Sequence, residues 1–329
     1  MLREHIPQSV KEHIPERIKR RFSRTTTRQK SPPEKHILGL ETWQLYPFGE
    51  ELNSEFLFSE SLRLVDKQTP IGSIGSCFAA EIKRYLQERG FNYVQTAKGK
   101  NAEWGSAAWD RVFNTGSLRQ EFERALGTFE PAERLWRLDG GRVITDPYRK
   151  SVRYSSELEA EAELEEHRRT AREALLAVDV MIVTVGLTEL WYSRVDGSVF
   201  NQVPPVEVFD ERRHAYRVAD VEENKQNILA AWELLSAANP ECTMVLTVSP
   251  VPLRATFRNE NVVSANAQSK ATLLAAVREV VDNTEGVYYH PSYEITTSVV
   301  AQGFDEDNRH VRREVVDEIM NVFEHNFMR

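Results

Sequence analysis

The chain has 329 residues, 41% hydrophobic and 28% charged, enough apolar chain for one large core or two small ones. Its formal charge of −8 is uneven: residues 1–35 carry ten Lys or Arg against four Glu, a net +6, so the rest sums to −14. The acidic body argues against nucleic acid as the main substrate, and the low cysteine usage (Cys77 and Cys242, with no zinc or disulfide spacing) suits a reducing compartment. No apolar run has the length of a secretory signal or a membrane span, so a cytoplasmic protein is expected.

Residues 1–36 read as a basic arm and linker. Ile14, Ile18 and Phe22 have helical spacing, but Pro15 interrupts it, and the polar stretch that follows ends in Pro32-Pro33. A solvated tail is one reading. Peripheral contact with anionic lipid headgroups or with a second subunit is the other. From residue 37 to 329 a single domain is expected. Its first aromatic residues, Trp43, Tyr46, Phe48, Phe56 and Phe58, are placed over an edge or face of the core.

Residues 69–80 read TPIGSIGSCFAA: a short β-rich run, a Gly75-Ser76-Cys77 corner, then Phe78, Ile82, Tyr85 and Leu86 on one helical face. A helix over 78–89 ending at Gly90, and a second strand over 91–95, complete a right-handed βαβ unit. Residues 113–117 form a loop, 118–126 a helix, and 135–144 a hairpin turning at Asp139-Gly140-Gly141. A charged helix spans 156 to about 177 with a thin apolar stripe. Residues 178–186 (VDVMIVTVG) are a continuous apolar run expected of a central parallel strand. An antiparallel insertion follows over 195–218, then helix 221–238, strand 243–248, helix 264–281, strand 286–289 and helix 311–327. The alternation predicts a three-layer α/β/α sandwich around a mostly parallel, doubly wound five-stranded sheet of flavodoxin-like type, with insertions over about 96–177 and 193–220.

Ligands of such sheets bind beyond the carboxyl ends of the strands. At the first strand end, Ser76 is either a simple N-cap or a nucleophile held at a strand-to-helix corner, with free helix N–H groups aimed at an oxyanion. Asp307 and His310 are three residues apart, so a helical turn or tight loop brings a carboxylate to an imidazole. That gives a serine an oriented base; the alternative is a capping residue with a histidine in the first turn. Cys77 is a rival nucleophile but is expected to point into the core. His290, also at a strand end, is a rival base, a structural residue or a substrate contact. Glu189 and Trp191 are placed in the pocket wall, where an aromatic face suits a sugar ring. No metal-ligand spacing and no phosphate-binding Gly-rich loop is present, so neither a metal nor a resident cofactor is expected.

Gly75-Ser76-Cys77-Phe78-Ala79 matches the signature that names the GSCFA family, which resembles the SGNH/GDSL hydrolases. The likeness extends from about Leu38 to the C-terminus through Asn114-Thr115-Gly116, the VGLTELW segment, residues 247–252, Ser269-Lys270, residues 291–294 and Asp307-x-x-His310. The resemblance implies Ser76 as nucleophile, His310 as base and Asp307 as its orienter. It further implies an oxyanion hole from the Ser76 N–H, from Asn114 to Gly116, and from Gly186-Leu187-Thr188, where Thr188 stands in place of the superfamily's Asn. The activity implied is that of an esterase or acyl hydrolase on acyl, above all acetyl, esters of a small molecule or glycan. The alternatives are an O-acyltransferase with acyl-CoA as co-substrate in polysaccharide synthesis, and a non-catalytic glycan- or protein-binding module.

Overall fold

In the computed structural model, residues 52–98 and 100–329 are described. The basic arm, and Trp43, Tyr46 and Phe48, lie outside them. β1 (Ile71–Gly75), buried along its whole length, turns at Ser76 into α1 (Cys77–Glu88). The chain returns along the outer side of β1, but only Tyr93 bridges to Ile71. The fifth strand expected over 91–95 is therefore a single bridge, with two backbone bonds to Ile71. α2 (Thr115–Leu126) starts three residues earlier than its apolar pattern suggests, because the Asn114 side chain accepts the Ser117 N–H at 2.8 Å and caps the helix. β2 (Trp136–Leu138) and β3 (Val143–Thr145) make the expected hairpin, and β4 (Arg153–Tyr154) adds an unforeseen third strand to it.

α3 (Glu157–Ala177), capped by Ser156, leads into β5 (Val180–Val185). β6 (Glu189–Ser193), β7 (Val199–Phe200) and β8 (His214–Val218) form a small antiparallel sheet in the order β7-β6-β8, directly beyond β5. α4 (Val221–Ala238), β9 (Thr243–Val248), α5 (Val262–Asn283), β10 (Val287–Tyr289) and α6 (Arg313–Phe327) complete the chain.

The main sheet is parallel in the order β1-β5-β9-β10. Side-chain alternation sends Val180 and Ile182 to one face and Met181, Val183 and Val185 to the other. On the first face they meet Phe78, Ile82 and Leu86 of α1 and Val316, Ile319 and Phe323 of α6. On the second they meet Phe122 of α2, Leu175 of α3, Ile228 and Leu235 of α4, and Leu273 and Val277 of α5. This is the three-layer α/β/α sandwich expected, and its two cores hold the sheet between helices on both sides. From β1 the chain first goes outward to the Tyr93 bridge and then crosses back to β5. Strand order thus reverses between β1 and β5, and Ser76 stands at that reversal. Among the described residues, no helix is long and apolar enough to cross a membrane.

Candidate active site around Ser76

The corner before α1 depends on Gly75. Its φ is +147°, and a Cβ there would collide with the carbonyl and hydroxyl oxygens of Thr184 in β5, so only glycine lets β1 and β5 close up at this point. Ser76 is then the N-cap of α1, 1% exposed, with its Oγ accepting the Phe78 N–H at 3.3 Å and lying 3.1 Å from Thr184 Oγ1. It borders a hollow of about 430 Å³ over the carboxyl ends of the strands, together with Asn114, Gly186, Glu189, Trp191 and Ser249. The floor is tight: a Cβ on Gly186 would touch those of Ser76 and Ser249 at 3.6 and 3.7 Å.

Beneath this floor lies Lys270 of α5, fully buried. Its Nζ donates to the carbonyls of Gly186 (2.7 Å), Ser249 (2.6 Å) and Val251 (2.9 Å), tying the ends of β5 and β9 together. Burial pulls its pKa down to about 7, whereas the three carbonyl acceptors favour the ammonium.

Asp307 and His310 occupy a tight exposed loop closed by the Phe304–Val311 bridge. Asp307 Oδ1 accepts the backbone N–H groups of His310 (2.9 Å) and Arg309 (3.0 Å), and Oδ2 lies 2.5 Å from His310 Nδ1. Those backbone donors, followed by the imidazole, hold the Asp307 carboxyl down at about 2. The imidazole is thereby oriented, and among the described residues Nε2 makes no hydrogen bond. His310 borders a second hollow that shares Cys77 and Val251 with the first; no hydrogen bond joins it to Ser76. Its chain neighbour Arg309 borders the Ser76 hollow instead, with a buried Nε that has no partner among the described residues.

Several expected contacts are corrected. His290 is 1% exposed, backed by the rings of Phe323 and Phe327, and away from the hollow, so it is a core residue and not a substrate contact. Burial takes its pKa down to about 3. Thr188 is wholly buried and turned to Ser269 Oγ (2.9 Å) and Arg258 Nη2 (2.9 Å), which removes its hydroxyl from any oxyanion site. Gly116 sits against Val199 and does not border the hollow. The Ser76 N–H donates to Thr184, at 2.9 Å to Oγ1 and 3.2 Å to the carbonyl, so it is not free for an oxyanion. Of the two polar side chains expected as oxyanion donors, Asn114 borders the hollow and Thr188 does not. The Asn114 Oδ1 is fixed by the cap, which leaves Nδ2 as a donor.

Cys77 is half-buried in the wall between the two hollows, not in the core. Burial raises its thiol pKa against the opposing charges of Arg309 and Arg111, so it is not a ready thiolate. Glu189 borders the hollow, but its carboxylate is taken by Thr256 Oγ1 (2.7 Å), the Phe257 N–H (3.0 Å) and Arg258 (3.3 Å); it fastens the loop after β9. Trp191 stands half-buried in the wall within 6 Å of the rings of Phe209, Tyr216 and Phe257. The sequence assigns no site role to Lys270, which enters only through the Ser269-Lys270 block, or to Arg309. A lysine in an Ala- and Leu-rich helix looks solvated, and Arg309 is distinguished only by its place before His310. Among the described residues, no cluster of three His, Cys, Asp or Glu could hold a metal ion.

Residues 70–323 match the GSCFA family. No curated protein matches the chain. Among solved structures it is similar to a carbohydrate esterase family 3 protein from Talaromyces cellulolyticus, at TM-score 0.37 and 9% identity, over 78% of this chain and 94% of that one. It is also similar to a Clostridium thermocellum family 3 carbohydrate esterase, at TM-score 0.37 and 11% identity, over 79% and 95%. A third similarity is to an acetyl esterase variant solved with an acetate ion, at TM-score 0.36 and 9% identity, over 77% and 93%.

Proposed function

The chain belongs to the GSCFA family, and on that premise we propose that it is a serine-dependent acyl enzyme that cleaves acyl esters, acetyl esters of a glycan or glycan precursor above all. The observation that carries this reading is Ser76 itself: a serine fixed by an obligatory glycine at the helix N-terminus of the sheet's switch point, bordering a hollow, one wall away from an Asp-oriented imidazole.

In the proposed reaction, Ser76 Oγ attacks the ester carbonyl while His310 Nε2 takes its proton, and Asp307 holds Nδ1–H so that the correct nitrogen is basic. Asn114 Nδ2, and the Cys77 N–H at the first position of α1, are the donors for the oxyanion. One such donor contributes about 3 kcal/mol in the transition state. The tetrahedral species collapses to acyl-Ser76, the alcohol leaves with the proton from His310, and water repeats the sequence to release the acid. Since no bond joins His310 to Ser76, the loop between Phe304 and Val311 has to bring the imidazole over Cys77 on substrate binding. A sugar ring finds its face on Trp191 and Phe257.

Transfer to a sugar hydroxyl, with acyl-CoA as donor, is the second reading. It shares the acyl-Ser76 intermediate, and a hollow of about 430 Å³ has room for an acceptor beside an acyl group. The test of the leading reading is Ser76→Ala assayed on p-nitrophenyl acetate. A fall in kcat/KM of about a thousandfold or more is expected, and undiminished hydrolysis would sink it.

A further inference from the structure

The hollow over Ser76 has a charge opposite to that of the molecule. The whole chain carries −8, yet the side chains bordering this hollow include Arg111, Lys150, Arg254 and Arg309 against a single acid, Glu189. Glu189 is already neutralised by Arg258 and by two hydrogen bonds from the loop after β9. Arg111 is partly matched by the buried Asp110, 3.1 Å away. Lys150, Arg254 and Arg309 have no acidic partner among the described residues, and the buried Nε of Arg309 makes no hydrogen bond there. The N-termini of α1 and α2 meet the same hollow through Ser76 and Asn114, adding two positive dipole ends.

Such an arrangement favours an anion. Arg254 and Lys150 are exposed and Arg309 half-buried, so they repel one another only modestly, but gathered in one concavity they focus their field outward to draw in negative charge. The guanidinium forks of Arg254 and Arg309 suit the planar or tetrahedral oxygens of a carboxylate or phosphate. The geometry points to a substrate that is an ester carrying an anionic group, a carboxylate or a phosphate, held by Arg309 and Arg254 with Lys150 while its acyl carbon lies over Ser76. This rests on the reading of Ser76 as the reacting residue for the word ester, but not for the anion.

The experiment therefore reads binding separately from turnover. Glucuronic acid, glucose 6-phosphate and glucose are titrated calorimetrically into the full-length protein at low salt. At least one of the two anionic sugars is expected to bind tenfold or more tighter than glucose, and to weaken as salt is raised. Whichever binds tighter identifies carboxylate or phosphate as the group read. Arg254→Gln and Arg309→Gln each reduce that affinity about three- to tenfold, with the melting temperature checked to show that the variants fold. Lys150→Gln, on the exposed rim, gives a third variant if either fails to fold. Equal binding of the three sugars, no binding of any, or full anion affinity in the Arg254→Gln, Arg309→Gln double variant overturns the inference. Anion binding without turnover of any acyl ester supports the inference and sinks the serine mechanism instead.

Discussion

Replacing His290 by leucine is expected to stabilise the protein, and more so in acid. Both ring nitrogens are buried with no well-formed hydrogen bond among the described residues, only a weak backbone interaction at Ile319, and the ring is packed on Phe323 and Phe327 of α6. A buried polar group left unpaired costs about 1–3 kcal/mol. Leucine removes two such groups at similar volume, so a gain of about 2 kcal/mol at pH 7 is expected, or about 3 °C in melting temperature for a domain of this size. The acid limb follows from linkage. Burial depresses the folded-state pKa to about 3 from 6.5, so the unfolded chain binds the extra proton. The stability contribution of neutral His290 is fully present above pH 6.5 and is lost as pH falls toward 3. At pH 5 this amounts to about 2 kcal/mol, from a shift worth about 1.4 kcal/mol per unit. The gap between His290→Leu and wild type should therefore widen from about 2 kcal/mol at pH 7 to about 4 at pH 5, read from guanidinium midpoints at each pH. A variant less stable than wild type, or a gap that stays constant, would refute both the burial argument and the removal of His290 from the substrate site.

Lys270→Met leaves the carbonyls of Gly186, Ser249 and Val251 without their shared donor. Against the relief of burying one fewer charge, a net loss of about 3 kcal/mol is expected by urea titration; a neutral result would mean that the strand ends do not depend on it. Asn114→Ala and Thr188→Ala form a contrasting pair. The first removes an amide donor from the hollow, together with the α2 cap, and should lower kcat about a hundredfold while costing about 1 kcal/mol of stability. The second touches a hydroxyl turned to Arg258 and should leave kcat within about threefold; reversed effects on p-nitrophenyl acetate would restore Thr188 to the oxyanion site.

The fold was legible where one physical rule dominated. The unbroken apolar run of β5 permits only a strand covered on both faces, and the Gly75-Ser76 corner between a β-rich run and an amphipathic pattern permits little but a strand-to-helix turn. The three-residue spacing of Asp307 and His310 likewise announces a local contact, which a loop rather than a helix supplies. What could not be read were directions set by distant partners. Nothing near Thr188 in the chain announces Ser269 or Arg258, and nothing near His290 announces the α6 phenylalanines that bury it. The strand over 91–95 has the right residues but only Tyr93 aligns with β1, since register at a sheet edge is decided by what the outer side can pair with. The positive lining of the hollow is gathered from four separate segments and is invisible in a net charge of −8.

The central claim is that Ser76 Oγ is the acylated atom. Treating the protein with a fluorophosphonate ester and sequencing the modified peptide by mass spectrometry tests it most directly, because the reagent leaves a stable phosphonyl group on an activated serine. One adduct per chain, on Ser76 and absent from Ser76→Ala, is predicted. No adduct, or one that persists at Cys77 or another serine in Ser76→Ala, would contradict the account.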